Sequence, residues 1–321
     1  MDRQRLAGIG LVLVSAASFG SGALFAKPVY GAGVDWLTLL SWRFLIGSGL
    51  AWVWLLVSRE RRAGLWRLSR RRVAIAFGLG IIYLGNSGTY YAALETVSAS
   101  LAAVIVYIYP AVVAVLSIRI GHRLVGRRPW VALAMTLAGV ALALGGIPAG
   151  EVPPLLGLVE IVASPLIYSV WIVLSARFAG ERTDRIGIEA DDGASTTVAT
   201  ALMMTSTAIG MWTLAIVFGR PVMPAQIPAA AWPGMIAIGF VCTFLAIQTF
   251  YAGTRRVGAA QASLISTFEP VWTITLASLL FGETLGPIQL VGGALVIAGV
   301  VLAQTSSGPV PASVTLRVAD E

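Results

Sequence analysis

Ten stretches of the chain, each about twenty residues long and nearly free of charge, leave few folds open to it. They fall at 6–28, 37–58, 73–94, 98–119, 130–147, 155–177, 195–219, 229–252, 260–281 and 286–304. A helix of roughly 20 apolar residues crosses the ~30 Å hydrocarbon layer of a bilayer. Composition points the same way: 57% of the residues are hydrophobic and 12% are charged, against about 25% charged in an average soluble domain. The expectation is an all-α integral membrane protein of ten transmembrane helices.

The net charge of +7 does not signal nucleic acid, because the arginines sit in alternate connections. Arg59, Arg61, Arg62, Arg67, Arg70, Arg71 and Arg72 lie between the second and third stretches. Arg119, Arg123, Arg127 and Arg128 follow the fourth, and Arg255 and Arg256 follow the eighth. The other set of connections carries little positive charge, with Arg220 the clearest exception. Ten spans place every arginine-rich loop on one side together with both termini, and the positive-inside rule makes that side the cytoplasm. The single Cys242 and single His122 provide neither a disulfide framework nor a metal cluster, so no cofactor is expected. The first stretch lacks a small-x-small cleavage site and reads as a span rather than a signal peptide.

An internal repeat emerges when residue n is set against n+160. Tyr91-Ala92 meets Tyr251-Ala252, Val97 meets Val257, Ala102 meets Ala262, Pro110 meets Pro270, and Ala138-Gly139-Val140 meets Ala298-Gly299-Val300. Each half would hold five spans. Five is odd, so the second half enters from the opposite side, giving two five-helix inverted-topology repeats at 1–150 and 151–305. Secondary transporters are built this way, with the substrate site near the midplane between the halves. A mixed-charge loop at 178–194 divides the chain, and the polar tail 306–321, with Pro309 and Pro311, is expected to be disordered.

These residues resemble the drug/metabolite transporter superfamily, in particular its EamA-like ten-helix exporters. In the first half the resemblance rests on Lys27, Arg43-Phe44, Tyr91-Ala92-Ala93-Leu94 and Tyr109-Pro110. In the second it rests on Phe268-Glu269-Pro270-Val271, Gly282-Glu283, and Gly292-Gly293 followed by Ala298-Gly299-Val300. It covers about residues 6 to 304 and implies a multi-pass exporter in the cell's inner or plasma membrane. The sequence departs from the family pattern at His122, where Glu usually follows Gly, and in the longer 178–194 loop.

Ionisable groups inside a bilayer cost roughly 2.5–3.5 kcal/mol each on insertion scales, so each needs a reason. Glu269, near the middle of its stretch and followed by Pro270, reads as a proton or substrate-amine partner, or else as a structural carboxylate bonded to a neighbouring helix. Tyr109-Pro110 holds the equivalent place in the first half, and two prolines at matched depth suggest paired irregular helices facing one cavity. Arg43 lies too deep to be interfacial; it either pairs with a carboxylate, Glu160 being the candidate, or receives a substrate carboxylate. Lys27, the only lysine, either snorkels or guards the outer mouth. Asn86 and Tyr90 share a helix face, as do Tyr168 and Trp171, and these four line the pocket unless they are interhelical packing. Substrate binding is thus expected at Asn86, Tyr90, Tyr109, Tyr168, Trp171 and Glu269. Coupling or gating is expected at Pro110, Pro270, Glu269, Lys27, Arg43 and Glu160.

The leading function is a secondary transporter exporting small amphipathic metabolites, amino acids or related compounds, by alternating access. No GxxxxGK[ST] occurs to support ATP-driven transport in this chain. The alternatives are a membrane-embedded lipid- or isoprenoid-processing enzyme, for which the sequence offers no catalytic constellation, and a non-transporting receptor. The expected partners are the bilayer and a small-molecule substrate, not nucleic acid. Proton coupling and facilitated diffusion both fit, as do monomer and homodimer.

Overall fold

The computed structural model describes residues 3–67, 69–109, 112–113, 116, 127–145, 147, 152–179, 193–257, 265–266 and 268–305. Pro110, most of the 178–194 loop and the tail 306–321 lie outside them. Every regular element among the described residues is helical. Six helices are long and apolar enough to cross a membrane: Arg3–Gly31, Trp36–Val57, Arg70–Ala93, Leu155–Leu174, Thr197–Val217 and Ala229–Phe250. Three shorter apolar helices join them, Trp130–Ala143, Phe268–Phe281 and Pro287–Leu302. The protein is a multi-pass membrane helical bundle.

In chain order the elements used below are α1 (Arg3–Gly20), α2 (Gly22–Gly31), α3 (Trp36–Val57), α4 (Arg59–Ala63), α5 (Arg70–Ala93), α6 (Ala99–Val106), α7 (Arg128–Gly145), α8 (Leu155–Ala179), α9 (Gly193–Val217), α10 (Trp232–Gly239), α11 (Ala246–Val257), α12 (Phe268–Phe281) and α13 (Pro287–Thr305). Short polar side chains start several of them by satisfying free N–H groups. Asp35 accepts from Leu37 N at 3.0 Å and Thr38 N at 3.2 Å to open α3. Ser69 accepts from Arg72 N to open α5, and Ser98 from Leu101 N to open α6.

The outer surface is apolar where a soluble protein would be charged. Val53, Val57, Leu155, Leu156, Ile216, Val217, Leu279 and Leu280 are all exposed. In water such a girdle would drive association; in a bilayer it is the lipid contact. Inside, alanine, glycine and small hydroxyl residues bring helices close. Ser206 Oγ donates to Phe77 O at 2.7 Å and Thr207 Oγ1 to Gly80 O at 2.9 Å, fastening α9 to α5. Ser15 Oγ does the same between α1 and Ala246 O at the start of α11, at 2.7 Å.

The tightest helix pair is α7 with α13. A methyl group on Gly139 would lie 2.6 Å from Gly292 O, and one on Gly292 would lie 2.5 Å from Gly139 O. The other extensive pairings are α1 with α11, α5 with α8, and α9 with both α3 and α5; α6 meets α12. Charged residues gather at two ends of the bundle. One end carries Arg59, Arg61, Arg62, Arg70, Arg71 and Arg72; the other carries Asp35, Glu95, Arg220 and Glu283.

Candidate functional site

Three helix irregularities are brought together inside the bundle. Ser21 breaks the first span between α1 and α2. The helix α6 stops at Val106 and gives way to a turn at Tyr107, so the 98–119 stretch is not one uniform helix from its start. Phe240–Leu245, between α10 and α11, is a π-helical turn, a feature that recurs at functional sites because it displaces side chains from the regular helical face. Beside them lies α12, described over Phe268–Phe281, with Glu269 and Pro270 near one end of that range and residues 265–266 before it helical as well.

Close backbone approach joins α12 to the first of these. Thr273 Oγ1 in α12 lies 2.8 Å from Gly20 O, and Trp272 Nε1 donates to Ser21 Oγ at 3.0 Å. A methyl on Gly20 would lie 2.9 Å from Glu269 O.

From Glu269 a belt of rings runs across the interior. Tyr107 Oη lies 3.1 Å from Glu269 Oε2 and 2.8 Å from Ser266 O. Ring centres then follow at 5.9 Å from Tyr107 to Tyr109, 5.0 Å to Tyr168, 5.6 Å to Trp171 and 5.4 Å to Tyr83. Tyr168 and Trp171 are stacked, with planes 8° apart, while the Tyr107–Tyr109 and Tyr109–Tyr168 pairs meet edge to face, the geometries the ring quadrupole favours. Tyr83 continues to Phe44 at 6.0 Å, and Phe44 lies beside Arg43. Trp171 Nε1 is buried with no hydrogen-bond acceptor among the described residues. A buried donor without a partner is rare enough to call for an explanation.

Arg43 closes the belt at the other pole. It is 5% exposed, and its guanidinium lies over Tyr91, 4.7 Å from the ring centre, and 5.1 Å from that of Phe44, within cation–π range. Its Nε donates to Thr243 Oγ1 at 2.9 Å. The expected Glu160 pairing does not form: Glu160 lies in the electrostatic reach of Glu95 instead. Sequence position placed both residues in the same half of their spans, but only packing decides which helix faces which.

The remaining expected residues separate. Tyr90 stands against Tyr91, with ring centres 5.2 Å apart, and so joins the Arg43 pole. Asn86 ties two helices together: Ser164 Oγ of α8 donates to its Oδ1 at 2.9 Å. Lys27 neither snorkels freely nor stands alone. Its Nζ donates to Val97 O at 2.7 Å, next to Glu283. Glu283 accepts from Ala99 N at 3.1 Å, Ser100 N at 2.9 Å and Ser100 Oγ at 2.8 Å, capping α6 from across the chain. Outside the spans, burial pushes the Glu95 carboxyl up from its ordinary value more than the Trp36 N–H it accepts pulls it down. No group of three His, Cys, Asp or Glu suited to a metal ion occurs among the described residues.

Tyr107, Tyr83 and Thr243 were not singled out from sequence for this site. Tyr107 had a usable signal, two positions before Tyr109-Pro110. Thr243 had none, because a threonine in an apolar run looks like any other.

The family model described as "EamA-like transporter family" matches this chain twice, at residues 6–145 and 155–305. The chain belongs to the EamA-like transporter family. That family consists of transporters, not enzymes, and this is a multi-pass membrane transport protein. Among its relatives is the uncharacterized transporter YcbK of Bacillus subtilis (strain 168), 27% identical over 303 residues, covering 90% of each chain. An uncharacterized transporter of Archaeoglobus fulgidus is 27% identical over 226 residues, covering 70% of this chain and 74% of the relative. A protein of known crystal structure shares the fold, with TM-score 0.60 and 21% identity, covering 92% of this chain and 96% of the other.

Proposed function

We propose that this EamA-like protein is a secondary exporter of small amphipathic metabolites, amino acids or related compounds, that works by alternating access through the aromatic belt between Glu269 and Arg43. The observation that carries the reading is the belt itself: apolar ring surface for the body of a solute, with a carboxylate at one pole and a guanidinium at the other. Binding sites of this kind are mostly apolar with a few placed polar groups. The helix breaks around it supply irregular backbone only where it lines an interior, as membrane depth demands.

The inverted two-repeat plan fits the helix pairing. If residue n corresponds to n+160, α1 with α11 is the counterpart of α8 with α5, while α7 with α13 and α3 with α9 each pair equivalent spans. The double family match divides the chain at the same place. Ten spans with both termini in the cytoplasm then put the Asp35 and Glu283 end outside.

Tyr107 supports a coupling role for Glu269. Its one hydroxyl hydrogen faces two oxygens, Ser266 O at the shorter distance and Glu269 Oε2 at the longer. If the hydrogen goes to Ser266, Glu269 completes the network by carrying a proton and donating it to Tyr107 Oη. Losing that proton to an opened, hydrated cavity, or to make way for a cationic group, links occupancy of the site to proton movement.

Counterflow in proteoliposomes, using a radiolabelled mixture of L-amino acids, tests the reading. The parent protein is expected to exchange label and to accumulate it under a pH gradient. Glu269→Gln is expected to keep exchange and lose the pH-driven part. Absence of counterflow for amino acids and for solutes of a whole-cell extract would remove the transporter reading. Full pH-driven accumulation by Glu269→Gln would remove the coupling role.

A further inference from the structure

The positive pole raises a question that the transporter reading leaves open. Arg43 is a charge buried among apolar helices, and such a charge is strongly destabilising unless it is paired. Among the described residues no carboxylate lies within ion-pair distance of it. One nitrogen, Nε, has a hydrogen-bond partner there; the two terminal amino groups have none. The guanidinium instead rests on the faces of Tyr91 and Phe44, the rings that end the belt, and its terminal donors are left for a ligand.

Its position is fixed by a device on the opposite half of the chain. Thr243 sits in the π-helical turn, and its hydroxyl donates to Ile238 O, five residues back, at 3.1 Å. With its hydrogen used there, its oxygen is free to accept from Arg43 Nε. Two glycines admit this contact. A methyl on Gly47 would lie 2.6 Å from Thr243 Cγ2, and one on Gly239 would lie 2.7 Å from Ile46 Cβ and 3.3 Å from Arg43 O. Holding Nε from one side orients the planar fork, so that the two terminal nitrogens present the bidentate geometry that matches a carboxylate.

We infer that Arg43 is the seat for the substrate's carboxylate and that Thr243, on the π-turn, is its positioning residue. The inference rests on the transporter reading and narrows it: the substrate carries a carboxylate at the Arg43 pole, and its apolar body lies along the rings toward Glu269. Neutral and purely cationic analogues lack the group that compensates the buried charge.

The test is competition against counterflow of radiolabelled L-amino acids by unlabelled L-leucine, L-phenylalanine and L-threonine. Each is compared with its α-amide and with the amine lacking the carboxyl group. In the parent protein each acid that competes is expected to do so at least about ten-fold better than its amide or amine, the scale of a hydrogen bond to a charged group. Thr243→Val should weaken the acids several-fold and leave the amides and amines where they were, and Thr243→Ser should restore the acids. Arg43→Gln should erase the distinction between acid and amide; if it does not fold, the Thr243 pair still decides. Equal competition by acid, amide and amine in the parent overturns the seat, as does a Thr243→Val loss that falls equally on all three. Counterflow of extract solutes without counterflow of any carboxylate-bearing probe overturns the seat and leaves the transporter standing. No counterflow of any solute removes both.

Discussion

Single residues show where a sequence speaks and where it is silent. Glu269 and Arg43 announce themselves, because an ionisable group in an apolar run must have a reason to be there. Their partners do not. The partner of Arg43 is a threonine from a helix 200 positions away, and Glu160, which was the chemically obvious choice, faces elsewhere. Charge narrows the candidates, and packing selects among them. Glu95 gives a test at this scale. Burial raises its carboxyl above the ordinary value, so the folded chain holds that proton more tightly than the unfolded one. Stability therefore declines as pH rises through the window between the ordinary and the raised value. Melting temperatures of purified protein, stepped from about pH 4 to 7, should show this decline in the parent and a flatter profile in Glu95→Gln. Parallel profiles would mean that Glu95 contributes nothing to the slope.

Among elements, the long apolar runs were readable because length and composition alone define a membrane helix. Their interruptions were half readable. Tyr109 marked one of them, yet the break at Ser21 and the π-turn at Phe240–Leu245 carry no proline or charge to betray them. The glycine pattern was visible as a means of close approach, but not which helices it served. The structure assigns Gly139 and Gly292 to one contact. Gly139→Ala should push α7 from α13 and cost about 1–3 kcal/mol, the usual range for overpacking. Gly10→Ala, with nothing within 4 Å of the added methyl, should not lower stability. Thermal unfolding of the two variants in detergent separates them, and equal melting would mean that α7 and α13 do not lie this close. Pro270→Ala belongs here too. Alanine supplies the backbone N–H that proline lacks, so Pro270→Ala should leave α12 folded and slow transport; unchanged transport rates would mean that Pro270 takes no part in movement.

For the whole molecule, the segregation of arginine to one end follows from the energetics of insertion rather than from anything in the fold, which is why it could be read before any contact was known. Met223 is exposed near the Asp35 end, and Arg62 is exposed at the arginine end. In a Cys242→Ser background, an impermeant thiol reagent applied to intact cells should label Met223→Cys and spare Arg62→Cys. The reverse pattern would invert the protein in the membrane. Mechanical behaviour at the Asp35 end follows from Glu283. Its two oxygens hold three donors of one helix start at once, and withdrawing the carboxylate strips all three together. Separation of α12 from α6 at that end must therefore behave as a latch with a threshold, either held or sprung, rather than as a seam that parts by degrees.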